Sequence, residues 1–181
     1  MNETPPRQHK PAEAGLARFV REVAGLARSA APGDEGTRRF IREMGERYAY
    51  IRLGDMTQPL RFLRQMAGAP PVEFGVSGFR PAVVDDANPA RHYTAFVWTG
   101  YWLPLPLAIL ALYAWEAAGY FRYGFHWSRT DMHNGRIGLR HGRAVRRDGP
   151  AVLPRLIIRD LADPNVVDEA ELLAEVKASV A

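Results

Sequence analysis

Apolar residues recur along the first half of the chain at the three-and-four spacing of amphipathic helices. Leu16, Phe19, Val20, Val23 and Leu26 form one stripe, starting at Ala14 and ending before "APGDEG". Phe40, Ile41, Met44, Tyr48 and Ile51 form a second that stops at Gly54. Leu60, Leu63, Met66 and Ala67 form a short third, which starts near Thr57 and Pro59. The pattern then lapses. "GAPPVEFGVSGFRPAVVDDANP" is rich in Gly and Pro and predicts a loop over 69–88, with room for a short strand at Ala82–Val84. A loop of that length inside a compact domain usually carries function or serves as a linker.

Helical spacing resumes at "NPARHY". Asn88 is placed to cap the helix by accepting from a backbone N–H, and Pro89 suits the first helical position. Asp85 and Asp86 stand just upstream, where the positive end of the helix dipole favours them. This helix runs through Phe96 and Trp98 until Pro104 and Pro106 interrupt it, and another continues to about Tyr123. Further helices are expected from Ser128 to about Arg147, from about Pro154 to Leu161 and from about Val166 to Val180. No alternating pattern demands a sheet. The expected fold is therefore all-α: a single-domain bundle of about seven helices with a buried central helical pair. It occupies residues 13–181, with N-terminal helices in 14–68 and core helices in 89–181. Residues 1–12, polar and Pro-rich, read as a disordered tail.

The apolar pair raises a membrane question. Thr94 to Trp115 is a run of 22 uncharged residues flanked by Tyr and Trp, long enough to cross a bilayer. Pro104 and Pro106 break it, and each half, at about 1.5 Å per residue, falls short of about 30 Å of hydrocarbon. The reading preferred here is a helix pair inside a core, with membrane association through 94–121 second. The N-terminus lacks an apolar signal-like segment, so a cytoplasmic location is the starting expectation.

Burial makes Glu116 conspicuous. Its helical neighbours are Leu112, Tyr113, Trp115 and Tyr120, and a carboxylate there needs either a partner or a proton. The helix from Ser128 offers partners. At 100° per residue, Asp131, Asn134, Gly135, Gly138 and Gly142 share one face with His141 at its edge, while Arg129, His133, Arg136, Arg140, Arg143 and Arg147 share the other. Three glycines in one stripe cost helix stability, about 1 kcal/mol each against Ala, and so predict a second helix packed closely against them. Arg91 and His92 lie in the first turn of the "NPARHY" helix and complete the candidate cluster.

Composition narrows the chemistry. The 181 residues contain no cysteine, which excludes disulfides, thiol catalysis and thiolate metal sites. The net charge of +4 is local: residues 91–150 hold eight basic and three acidic side chains. No phosphate-cradling or dinucleotide loop occurs, and "GVSG" lacks the spacing of a nucleophile elbow.

The order "GFRPAVVDDANPARHYTAF", then Glu116, then "SRTDMHNGRIGLRHG" resembles a group of uncharacterised bacterial helical proteins. Their pattern is an acidic residue, N-Q-x-R-H-F, a later acidic helix position, and S-x-x-D followed by two spaced glycines. The resemblance covers residues 79–161, with Pro89 where Gln is usual and Tyr93 where Phe is usual. It implies a shared polar core and names no reaction.

Paired carboxylates in an apolar setting are what glycoside hydrolysis needs. The leading expectation is a small hydrolase or lyase with Glu116, Asp131 and His92 catalytic, acting on a polysaccharide such as peptidoglycan. Arg91, Asn134, Asp86 and Asn88 would bind substrate. No cofactor is expected. A divalent ion at His92, Glu116 and Asp131 ranks behind acid–base chemistry, and His126, His133 and His141 lack metal-ligand spacing. The alternative is a non-enzymatic interaction protein, its face of Arg129, Arg136, Arg140, Arg143 and Arg147 binding an acidic partner or membrane surface. Nucleic acid is not expected, because no aromatics interleave with those arginines.

Overall fold

A computed structural model describes residues 14–52, 72–84, 86–122 and 128–180, with the side chains of 120–122, 179 and 180 excepted. The expected tail at 1–12, the third short helix near 57–67, Asp85 and His126 lie outside the described residues. Among the described residues seven α-helices follow one another: α1 (Gly15–Ser29), α2 (Asp34–Met44), α3 (Pro89–Trp102), α4 (Leu105–Arg122), α5 (Arg129–Asp148), α6 (Leu153–Leu161) and α7 (Glu169–Val180). Among the described residues there is no strand beyond an isolated bridge between Phe79 and Ala162. The all-α bundle expected from the apolar pattern is the fold observed.

The stripe Leu16, Phe19, Val20 and Val23 of α1 is fully buried, as its spacing predicts. It meets Phe40, Ile41 and Met44 of α2, Ile157, Ile158 and Leu161 of α6, and Leu172 and Val176 of α7 in one core. A π-turn, Gly45–Ala49, extends α2 and ends at Tyr50 with φ of 62°. Gly45 lets α2 close on α3, since a side chain there would begin 2.6 Å from the Trp98 ring.

The loop before α3 is ordered by α6. Arg80 donates through its side chain to the carbonyls of Arg159 and Ala162, and its backbone N–H donates to Leu161 O. Residues Pro81–Val83, where a short strand was conceivable, form a 3-10 turn instead. Pro81, at the first position of that turn, has no N–H to give a ladder.

The centre of the molecule is the α3–α5 contact, and the glycine stripe is its cause. A Cβ on Gly138 would lie 2.7 Å from Tyr93 O, and one on Gly142 or Gly100 would collide with the backbone at Val97 or Leu139. The close approach predicted for Gly135, Gly138 and Gly142 is thus observed, with α3 as the partner.

The other half of the apolar pair differs from the expectation of full burial. In α4 the positions Ala108, Leu112 and Glu116 face α5 and are buried, while Leu107 is 53% and Leu110 63% exposed. A four-residue step returns to nearly the same side of a helix, so one seam is covered and the rest is not. The central pair is α3 with α5, and α4 packs outside it. Among the described residues no helix is long and apolar enough to cross a membrane.

Candidate functional site

Three helices bring one chemistry-bearing side chain each to a single point. His92 sits on the first turn of α3, Glu116 on the inward seam of α4, and Asp131 on the first turn of α5. Ser128 starts α5 as its N-cap, its hydroxyl accepting from Asp131 N–H at 2.9 Å. That cap fixes the backbone of Asp131.

His92 Nε2 lies 2.9 Å from the backbone oxygen of Asp131. A carbonyl only accepts, so Nε2 carries the proton, and in the neutral ring Nδ1 holds the lone pair. Nδ1 stands 3.9 Å from Asp131 Oδ1, and Nε2 stands 3.8 Å from Glu116 Oε1. In these two pairs the carboxylate oxygens therefore stand just beyond hydrogen-bond distance of the ring nitrogens. Phe96 holds the ring from one side, with centroids 4.9 Å apart. Gly135 clears the other, because a Cβ there would be 3.2 Å from His92 Nε2.

Burial is graded across the cluster. The Glu116 side chain is 7% exposed, His92 10% and Asp131 25%. Asp131 is thus the most solvent-exposed of the three. One ligand atom from each of the three residues can be chosen so that all lie within 4.8 Å of one another. The cluster of Glu116, Asp131 and His92 anticipated from the sequence does assemble, and its spacing gives the divalent-ion reading more weight than residue types alone did.

The four residues expected to bind substrate stand differently. Arg91 is half-buried beside His92 on the first turn of α3. Asn134 is buried, one turn beyond Asp131, and donates to Val83 O at 3.2 Å and Pro89 O at 3.1 Å, clamping the loop onto α3 and α5. Asp86 Oδ1 accepts from Asn88 N–H at 2.8 Å. The expected side-chain cap by Asn88 is absent: the residue, at φ −141° and ψ 69°, turns its amide inward, where both polar atoms are buried without a hydrogen-bond partner. Asn134 Oδ1 is likewise buried and without a donor.

The arginine face points away from α3. Arg129, Arg136, Arg140, Arg143 and Arg147 are all exposed. Arg136 donates to the Tyr113 hydroxyl at 2.9 Å, and Arg147 pairs with Asp148 at 2.7 Å.

A second polar network escaped the sequence reading. Tyr93 Oη and His141 Nδ1 are 2.8 Å apart, and His141 Nε2 is 2.8 Å from Asp160 Oδ2. Arg159 holds the same carboxylate at 2.8 Å. Burial pushes the His141 pKa below its usual value, against the pull of Asp160. The Arg159 guanidinium, with His141 assisting, holds Asp160 well below the usual carboxylate range. Burial raises Tyr93 well above the usual phenol value. The neutral imidazole accepts from Tyr93 and donates to Asp160, which satisfies each group. The network pins α3, α5 and α6 together. The position of His141 at the edge of the glycine face was the one available signal.

Compared with known proteins, the chain matches no family model, no curated protein and no solved structure.

Proposed function

We propose that the chain is a small helical hydrolase whose reacting centre is His92, Glu116 and Asp131. The observation that carries the reading is the convergence, within 4.8 Å, of an imidazole and two carboxylates from three separate helices. Side chains 24 and 15 residues apart in sequence meet there. In the reaction a water molecule held by the cluster gives its proton to a carboxylate. Its oxygen bonds to the carbon under attack as the bond from that carbon to the leaving oxygen breaks, and the leaving oxygen takes its proton from the other carboxyl group. His92 positions the water and Asp131 faces the substrate. Glycosidic bonds of a polysaccharide such as peptidoglycan are the substrate class, since paired carboxylates serve that chemistry.

The test is release of reducing ends from peptidoglycan and soluble polysaccharides by the parent chain and by Glu116→Gln. A loss of about 10²–10⁴-fold in a folded variant supports the assignment. Full activity in Glu116→Gln removes it.

A second reading rests on the exposure of Arg129, Arg140 and Arg143 on one face of α5. There the chain binds an acidic partner or anionic membrane surface, and the polar cluster is structural. Its signature is salt-dependent binding to anionic vesicles that disappears when Arg136, Arg140 and Arg143 become Gln.

A further inference from the structure

We infer that His92, Glu116 and Asp131 form a binding site for one divalent transition-metal cation. The inference deepens the hydrolase reading by naming what holds the attacking water, but it is tested without substrate.

Geometry supplies the first argument. Donor atoms each about 2.1 Å from one ion are about 3–3.5 Å apart. One donor atom from each residue lies within 4.8 Å of the others, and Nδ1 stands 3.9 Å from Asp131 Oδ1, while the 3.8 Å approach of Glu116 Oε1 is to Nε2. Closing them onto a single ion takes side-chain rotation that draws the donors together by up to about 1.5 Å. The tautomer supplies the second. Metal-bound histidines almost always donate their other ring N–H to a carbonyl, a carboxylate or water, which fixes the ring and aims the remaining lone pair. His92 does this through Nε2 and the Asp131 carbonyl at 2.9 Å, and the Nδ1 lone pair is directed to the side of Asp131 Oδ1.

Two further features fit. Asn134, buried one turn beyond Asp131, has its amide nitrogen committed to Val83 O and Pro89 O while Oδ1 has no donor. Its two donations fix the start of α5, and with it Asp131, against the loop and α3. Gly135 lets α3 and α4 close on α5 beside the cluster, since a Cβ there would lie 2.5 Å from Leu112 Cδ1, 3.1 Å from the Phe96 ring and 3.2 Å from His92 Nε2. The cost of a glycine in that helix is then explained on this side of α5, as the close approach to Tyr93 and Val97 explains Gly138 and Gly142.

The donor set chooses the ion. One imidazole with two carboxylates suits Zn²⁺ or Mn²⁺ better than Ca²⁺ or Mg²⁺, which favour oxygen alone. When bound, such an ion polarises a water ligand and makes it a nucleophile at neutral pH. With three protein donors, coordination positions remain for that water and for substrate.

The experiment is calorimetric titration of the full chain, freed of metal by chelator, with ZnCl₂ and MnCl₂. One ion per chain is expected. Binding should weaken at least tenfold in each of His92→Gln, Glu116→Gln and Asp131→Asn, and should be unchanged in His133→Gln. Circular dichroism checks that each variant is folded. Should a variant fail to fold, the electron paramagnetic resonance of Mn²⁺ on the parent chain decides instead, because one nitrogen among oxygen donors is the expected signature. Absence of saturable binding at 1 mM ion (roughly the weakest affinity a working site would have) overturns the inference. Equal binding in all the variants overturns it too. Polysaccharide hydrolysis that persists in chelator removes the cation and keeps the hydrolase. One ion bound with no hydrolysis does the reverse.

Discussion

Two histidines lie on the same helix contact and are used in opposite ways. His141 is closed in: Tyr93 gives it a proton donor at 2.8 Å, Asp160 accepts at 2.8 Å, and Arg159 neutralises the carboxylate behind it. His92 is held at one nitrogen, and the carboxylates of Glu116 and Asp131 stand back at 3.8 Å and 3.9 Å. Contact distance is a mark of structural use, because a buried polar group stabilises the fold only when its partners touch it. In these two pairs the carboxylate oxygens stand beyond hydrogen-bond distance of the ring nitrogens. That looser spacing is the feature on which the proposed chemistry of the His92 cluster draws.

The contrast is broken most severely at His141. Replacing it with Ala strands the Tyr93 hydroxyl and opens a cavity in a fully buried place. The expected loss is about 3–4 kcal/mol by urea unfolding, against about 2 kcal/mol for His92→Ala. Equal losses would erase the distinction.

Acid should act on the closed network. His141 has its pKa lowered in the folded chain, so the unfolded state takes up the extra proton first as pH falls through about 6.5. Asp160, also lowered, adds a second loss once pH passes below its ordinary value of 3.8. Stability is thus full above neutrality and declines below pH 6.5, and the decline near pH 6 should vanish in His141→Gln. Thermal unfolding across pH 4–8 reads this directly.

Smaller effects sharpen the comparison. Gly135→Ala crowds Leu112, Phe96 and His92 Nε2. It should cost about 1–2 kcal/mol and lower activity at the cluster by more than that stability loss accounts for. Tyr93→Phe removes one buried hydrogen bond and should cost about 1 kcal/mol, with activity retained. Arg143→Gln, on the exposed face, should change stability by less than about 0.5 kcal/mol.

Much of this was legible in the residue order. The stripe from Leu16 to Val23 marked a buried face because its period is that of a helix. The glycines at 135, 138 and 142 announced a close neighbour, since nothing else offsets their cost. Glu116 was conspicuous as a charge on an apolar helix, and Asp131 and His92 were candidate partners for it. What was not legible depends on the third dimension. Asp160 meets His141 only because α6 packs across α5, and no spacing encodes that. Leu107 and Leu110 read as core because hydropathy says how apolar a helix is and not which side is covered. Asn88 has the composition of a cap, yet its side chain turns into the interior.

The central claim is that the His92 cluster is built for chemistry and not to hold helices together. The most direct test is the unfolding free energy of Glu116→Gln and Asp131→Asn beside the parent chain. Groups held for chemistry are commonly kept at a cost to stability, so both variants should be as stable as the parent or more stable. A loss of about 3 kcal/mol or more in both would mean that the carboxylates knit the three helices together, and would contradict the account.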